Sequence, residues 1–181
     1  VSHFPFHPYK KFLTKQISQL YEKIINPPTG LVKPEIHLSS MKDFAVRKSS
    51  CYDNCMIAML AKDLHELHLP NPFKFDYPEL IKRHFWNGKY FYDDLTKQNY
   101  VAGDANVFPF VTGVIQDEQM LLSVMFQIDK AGLDQPFPLK YTSSREKIKF
   151  IPQEFLMHNY EGSSIWTHMG PLYIKVVQQV D

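Results

Sequence analysis

Cysteine is almost missing from this chain. Two occur in 181 residues, Cys51 and Cys55, too few for a disulfide framework and without the further close-spaced ligands that a zinc site needs. Four apart on one predicted helix, they read as thiols on a helix face and point to a reducing, cytoplasmic compartment. No Lys/Arg run stands out, and the formal net charge is +1, so the basic stripe with which nucleic acid binders neutralise phosphate is lacking. The longest apolar run, near Cys55 to Ala61, falls far short of the roughly 20 residues a membrane helix requires. No charged-then-apolar leader is present. There is neither a P-loop nor a Rossmann glycine pattern, and no βαβ alternation or run of strands. No nucleic acid, membrane, metal or cofactor is expected.

What remains is a chain with an ordinary globular composition, 44% hydrophobic and 22% charged, large enough for one domain with a substantial core. Aromatic content is 14%, with 14 Phe and 10 Tyr, which builds either a tight aromatic core or a cleft lined with flat side chains.

About six helices follow from the apolar spacing. The first lies between Pro8 and Pro27, with the stripe Tyr9, Phe12, Leu13, Ile17, Leu20, Tyr21, Ile24 and Ile25. A polar connection carrying His37, Asp43 and Arg47 leads to a second, capped near Ser49 or Ser50 with Asp53 in its first turn. Its stripe is Tyr52, Cys55, Met56, Met59, Leu60, Leu64 and Leu67. Asp76-Tyr77-Pro78-Glu79 opens a short third helix to Trp86, and Asn87-Gly88 predicts a turn with a small strand or hairpin over Lys89 to Tyr92. A fourth is expected from Val107 to Ile115, with Pro109 tolerable only in its first turn. Asp117 opens a fifth that Gly132 ends. An irregular stretch, Asp134 to Pro152, precedes the last, expected from Ser163-Ser164, where Pro171 implies a kink or a later start. Alternating short and long links suggest an all-α fold of stacked helical hairpins.

Polar residues concentrate in three loops, each before a helix: Met41 to Arg47, Tyr100 to Phe110, and His158 to His168. Each places an acid beside aromatic and amide or guanidinium groups. Glycoside cleavage needs two carboxyl groups across the scissile bond, and aromatic faces to hold the ring. A single acid in such a place ordinarily caps its helix, and Asp104 or Asp53 can do that alone. His65 and His68 with Asp63 and Glu66 read as a solvated helix end rather than a metal cluster. Cys51 lacks the partner histidine of a catalytic thiol.

Gly103-Asp104-Ala105-Asn106-Val107-Phe108-Pro109-Phe110, followed by Tyr160-Glu161-Gly162-Ser163-Ser164-Ile165-Trp166, resembles the six-hairpin glycosidase superfamily, whose members fold as an (α/α)6 toroid. The nearest subgroups are the glucosidase, trehalase and neutral-invertase-like enzymes. In them a helix beginning near a Phe-Pro-Leu-type sequence is followed by a loop, and an aromatic–small–Trp motif opens the next inner helix. The resemblance spans roughly Ile36 to Val177.

It implies a glycoside hydrolase acting on an α-linked oligosaccharide or similar glucoside. Asp43 would be the general acid, with Glu161 or Asp104 as the second carboxylate. Arg47, Asn106, Tyr160, Trp166 and His168 would line the sugar subsite. The departures are that a full toroid has twelve helices, and that in several subgroups a catalytic carboxylate lies on a hairpin that would fall after Asp181. The chain starts at Val1 and ends while a helical pattern is running, so residues 1–181 are expected to form a single helical domain within a larger one. The alternative is a non-catalytic helical fragment that binds sugar or a partner chain. Either fragment is expected to form a homodimer or to associate with the rest of the toroid.

Overall fold

The computed structural model describes residues 7–36, 41–157 and 159–180. Among them are six α-helices: α1 (Lys10–Ile24), α2 (Cys51–Glu66), α3 (Tyr77–Phe85), α4 (Gly103–Val111), α5 (Glu118–Lys130) and α6 (Met169–Val177). No strand forms among the described residues, and β-pairing is limited to isolated antiparallel bridges. The fold is mostly helical, as the periodicity implies. The expected hairpin reduces to one bridge, Trp86 with Phe91. Between them the Asn87 side chain accepts from the backbone N–H of Lys89 and of Tyr90, so the turn closes without a ladder growing beyond it.

Three helix starts follow the expected capping chemistry. The side chains of Ser50, Asp76 and Asp117 accept from the amides of Asp53, Glu79 and Met120 at 3.0, 3.1 and 3.0 Å, and each satisfies a first-turn donor that the helix leaves over. Gly132 closes the end of α5 at φ +63°, the left-handed geometry that glycine adopts without penalty. The stripes hold less evenly. On α1 only Ile17 and Ile24 are buried, while Tyr9 and Phe12 face solvent. On α2 burial is shifted toward the N-terminal half, where Cys51 to Cys55 are all enclosed, Asp53 and Asn54 included. Asn54 explains its own burial. Its carbonyl accepts from Val32 N at 3.0 Å, and its amide donates to Ser50 O and Ser49 Oγ at 2.7 and 3.0 Å, tying α2 to the segment after α1.

Two boundaries differ from the sequence expectation. α4 starts at Gly103, so Gly103-Asp104-Ala105-Asn106 is its first turn rather than a preceding loop. A Cβ on Gly103 would stand 2.6 Å from the carbonyl oxygen of Lys140, and only glycine lets the 139–142 segment cross the helix start this closely. Pro109 therefore lies inside α4, where its ring nitrogen cannot donate to the carbonyl of Ala105. The Cys51 thiol approaches that carbonyl at 3.6 Å and donates in its place. α6 starts at Met169 rather than Ser163-Ser164, which puts Pro171 in a first turn where no N–H is needed. The preceding residues stay irregular because Trp166 Nε1 donates to Tyr160 O at 2.9 Å and Ser164 Oγ turns back onto Asn159 O.

α4 packs against α2, α5 and α6, and Gly103 to Phe110 are buried throughout. Its N-terminus thereby delivers Asp104 and Asn106 into the interior, next to the 41–48 segment that precedes α2.

Candidate functional site

Four ionised side chains meet under the 41–48 segment. Lys42 Nζ lies 2.9 Å from Asp104 Oδ1 and 3.4 Å from Asp93 Oδ1; Arg47 Nη1 lies 2.8 Å from Asp104 Oδ2 and 3.2 Å from Asp93 Oδ1. Beside the 2.9 Å ion pair with Lys42, Asp104 Oδ1 has no hydrogen-bond partner. All four side chains are 4% exposed or less. The Tyr100 hydroxyl donates to Asp93 Oδ2 at 2.6 Å. The cluster balances two cations against two anions, and that pairing makes their burial tolerable.

The pKa shifts follow from this arrangement. Burial alone would raise Asp93, but Lys42, then Arg47, and the bonds from Tyr100 and Arg47 outweigh it and hold the carboxyl at about 2. Burial would lower Arg47, yet Asp93, Asp104 and Asp53 keep its guanidinium firmly charged. Asp53, in the first turn of α2, is raised: burial pushes it up and Asp104 and Asp93 add to that, against Arg47 and the bond with Ser50.

The sign of the stability contribution differs between these acids. Asp93, depressed on folding from an ordinary carboxyl near 3.9, contributes about 2–3 kcal/mol that is present above about pH 4 and lost as pH falls through about 2. Asp53 is raised, so its contribution is present at low pH and lost as pH rises above the ordinary carboxyl range. Of these two acids, Asp93 is the one whose contribution falls away between pH 4 and pH 2. Urea unfolding between pH 4 and pH 2 should therefore show a progressive loss of that size, and a flat profile over this window would remove the Asp93 account.

Above the cluster lies an aromatic group. Tyr160 and Trp166 pack edge to face with ring centres 4.6 Å apart, and Phe44 stands 5.6 Å from Tyr160. Tyr141 and His168 each lie 6.1 Å from Trp166, and the Tyr141 hydroxyl is 3.2 Å from His168 Nε2. Phe44, Tyr160 and Trp166 are half-buried, Tyr141 is buried and His168 is exposed. Burial raises the Tyr141 hydroxyl, with Asp104, Glu161, Tyr160 and Asp43 adding to it in that order. One ring thus feels all three acids that the sequence singled out.

Those three acids stand in different conditions. Asp104 is committed to the ion-pair cluster. Glu161 is 1% exposed, and its carboxylate accepts from Phe44 N at 2.9 and 3.0 Å and from Ala45 N at 2.7 Å. Burial raises its pKa first; the backbone amides of Phe44, Ala45 and Asp43 oppose that, and the charge of Asp43 adds to it. Asp43 is exposed. Among the expected sugar contacts, Tyr160, Trp166 and His168 come together in the aromatic group. Arg47 is buried in the ion-pair cluster. Asn106 is fully enclosed: its carbonyl accepts from Phe91 N at 2.8 Å and its amide donates to Phe91 O and Ala102 O, which fixes the Phe91 backbone and the start of α4. His37 and His158, on two of the segments of interest, lie outside the described residues.

Lys42, Asp93, Phe44 and Tyr141 join the site without having been singled out as candidates. Asp93-Asp94 between Tyr92 and Leu95 was the available signal, since adjacent acids in an apolar setting need buried partners. Tyr141 carried none, because it sits in a stretch without periodicity.

No family model matches the chain, and no curated protein matches it.

Proposed function

We propose that this chain is the core of a carbohydrate-active glycoside hydrolase of the helical-hairpin toroid type. The observation that carries the reading is the aromatic group of Phe44, Tyr160, Trp166 and His168, partly exposed, packed with the buried Tyr141 and beside Asp43 and Glu161. Flat, partly exposed rings next to carboxylates suit the apolar faces and hydroxyl rims of a sugar. Glycosidic cleavage further requires one protonated carboxyl and one ionised. Asp104 and Glu161 are occupied in holding the 41–48 segment. For the acid that must carry the proton the reading takes Asp53, 8% exposed, raised in pKa by burial, and tied neither to the four-membered ion-pair cluster nor to the amides of residues 44 and 45. The second carboxyl is that of Asp43, exposed on the segment that Glu161 clamps.

A second reading, a sugar-binding fragment without turnover, is favoured by the internal commitment of Asp104 to Lys42 and Arg47 and of Glu161 to the amides of Phe44 and Ala45. On either reading, Leu122 and Phe126, exposed one turn apart on α5, mark a face where a second copy or the rest of a toroid would pack.

Trp166 supplies the test. With Trp86→Phe leaving Trp166 as the one tryptophan of the chain, maltotriose or an aryl α-glucoside is expected to change its fluorescence saturably, and Trp166→Ala to weaken binding more than ten-fold. The aryl glucoside should be hydrolysed, with Asp53→Asn and Asp43→Asn each reducing turnover at least 100-fold while binding persists. Binding without turnover selects the second reading. Absence of binding by any of a panel of α-linked sugars removes both.

A further inference from the structure

The first acid of the chain is Glu22, and the 21 residues before it hold Lys10, Lys11 and Lys15 together with Phe4, Phe6, Tyr9, Phe12 and Tyr21. Much of this composition falls on α1, which carries Lys10, Lys11, Lys15 and Lys23 against one acid, Glu22. Lys33 Nζ donates to the carbonyls of Glu22 and Lys23 at 2.8 and 3.1 Å and adds a cation at the C-terminal end. No ion pair among the described residues takes up any of the four helix lysines. Lys10 and Lys11 stand in a first turn that has neither an acid nor a side-chain cap, where the positive end of the helix disfavours them. The starts of α2, α3 and α5 each carry both.

Tyr9, just before α1, and Phe12, one turn on, are 55% and 62% exposed. Gln16, Gln19 and Lys23 continue the Phe12 face at three- and four-residue spacing. Beside them a groove of about 520 Å³ opens between α1 and α2, lined also by Ile17, Leu20 and Leu60. Lys11 and Lys15, four apart and exposed, run along the other edge of that face. The helix thus presents an apolar strip bordered by cations, about 22 Å long over its 15 residues. At about 10 Å wide, such a strip offers roughly a quarter of the ~800 Å² that each partner buries in a stable protein interface. A bilayer is not limited in this way, because its surface continues past the helix on every side.

We propose that α1 attaches this chain to an anionic lipid surface. The helix lies along the surface, Tyr9 and Phe12 sink to the boundary between headgroups and acyl chains, and Lys11, Lys15 and Lys23 meet the headgroup anions. The sequence expectation of no membrane concerned a spanning segment. Among the described residues no helix is long and apolar enough to cross a membrane, and attachment along a surface requires none. The attachment stands independently of the sugar reading.

Vesicle flotation of the 181-residue chain tests this, with phosphatidylcholine vesicles containing about 30% phosphatidylserine and pure phosphatidylcholine as the control. Half-saturation is expected at about 0.1–1 mM accessible lipid on the anionic vesicles, and binding at least ten-fold weaker on the neutral ones or in about 0.5 M NaCl. Lys11→Gln/Lys15→Gln should weaken binding about 20-fold, near five-fold for each lysine, and Phe12→Ser about five-fold. Both variants change exposed positions and should leave Tm unchanged or slightly higher. Lys89→Gln/Lys130→Gln, which removes the same charge from exposed positions away from α1, should bind like the unaltered chain. The proposal is overturned by failure to bind, by equal binding to neutral vesicles, or by equal effects of the two lysine pairs. A dimer in light scattering that Phe12→Ser dissolves, without vesicle binding, also overturns it and assigns the face to a protein partner.

Discussion

Asp104→Asn should cost about 3–5 kcal/mol of stability, read as a fall in Tm of order 10 °C. The side chain keeps its shape and loses only its charge. Asp104 contributes one of two negative charges facing Lys42 and Arg47, each at 2.9 Å or less. Without it the cluster holds two buried cations against Asp93, and an uncompensated buried charge is the expensive outcome. One adjustment limits the loss. Asp104 is among the charges that raise Asp53, so its removal lets Asp53 ionise more readily and restores part of the balance through Arg47. The double variant Asp104→Asn/Asp53→Asn blocks that adjustment and should be worse than the sum of the singles. Urea unfolding at pH 7 measures both. A loss below about 1 kcal/mol for Asp104→Asn would mean that water screens the cluster and that its burial is not maintained in solution.

The helices of this protein were readable because their signals are local. Ser50, Asp76 and Asp117 each sit where a first turn needs an acceptor, and an apolar stripe follows each within a few residues. α4 escaped this reading for a physical reason. Its start is decided by the Lys140 carbonyl crossing Gly103, and its internal proline is tolerated because a thiol from α2 serves the Ala105 carbonyl; both partners are distant in sequence. The same holds for the site. Asp43, Asp104, Glu161, Tyr160, Trp166 and His168 stood out as acids and rings at helix entrances, and that pattern is visible along the chain. Which acid is free and which is tied is set by Lys42, Asp93 and the amides of residues 44 and 45, and pairings over such separations leave no periodic trace.

Glu161 shows how far that tie reaches. Its carboxylate is the acceptor for two consecutive amides on the segment that carries Asp43, and Ile151 N bonds Phe44 O from the other side. Glu161→Ala should therefore leave the Phe44 and Ala45 amides without acceptors, at about 1–3 kcal/mol each, so a total near 2–6 kcal/mol is expected. The raised pKa of Glu161 says that its burial is already costly in the ionised form. Glu161→Gln, which keeps a carbonyl and drops the charge, should accordingly lose less than the alanine variant at pH 7, and the deficit of glutamine against glutamate should widen as pH falls toward the ordinary carboxyl range, where the raised Glu161 contributes most. Hydrogen exchange separates this clamp from a general loss of stability. In Glu161→Ala the Phe44 and Ala45 amides should exchange at least ten-fold faster relative to the amides of α5. If those two amides keep the protection of the rest of the molecule, the carboxylate is not what seats the segment. Because Asp43 and Phe44 ride on it, the same variant should also weaken sugar binding at Trp166, and it should do so in the double background with Trp86→Phe without any change to a ring of the aromatic group itself.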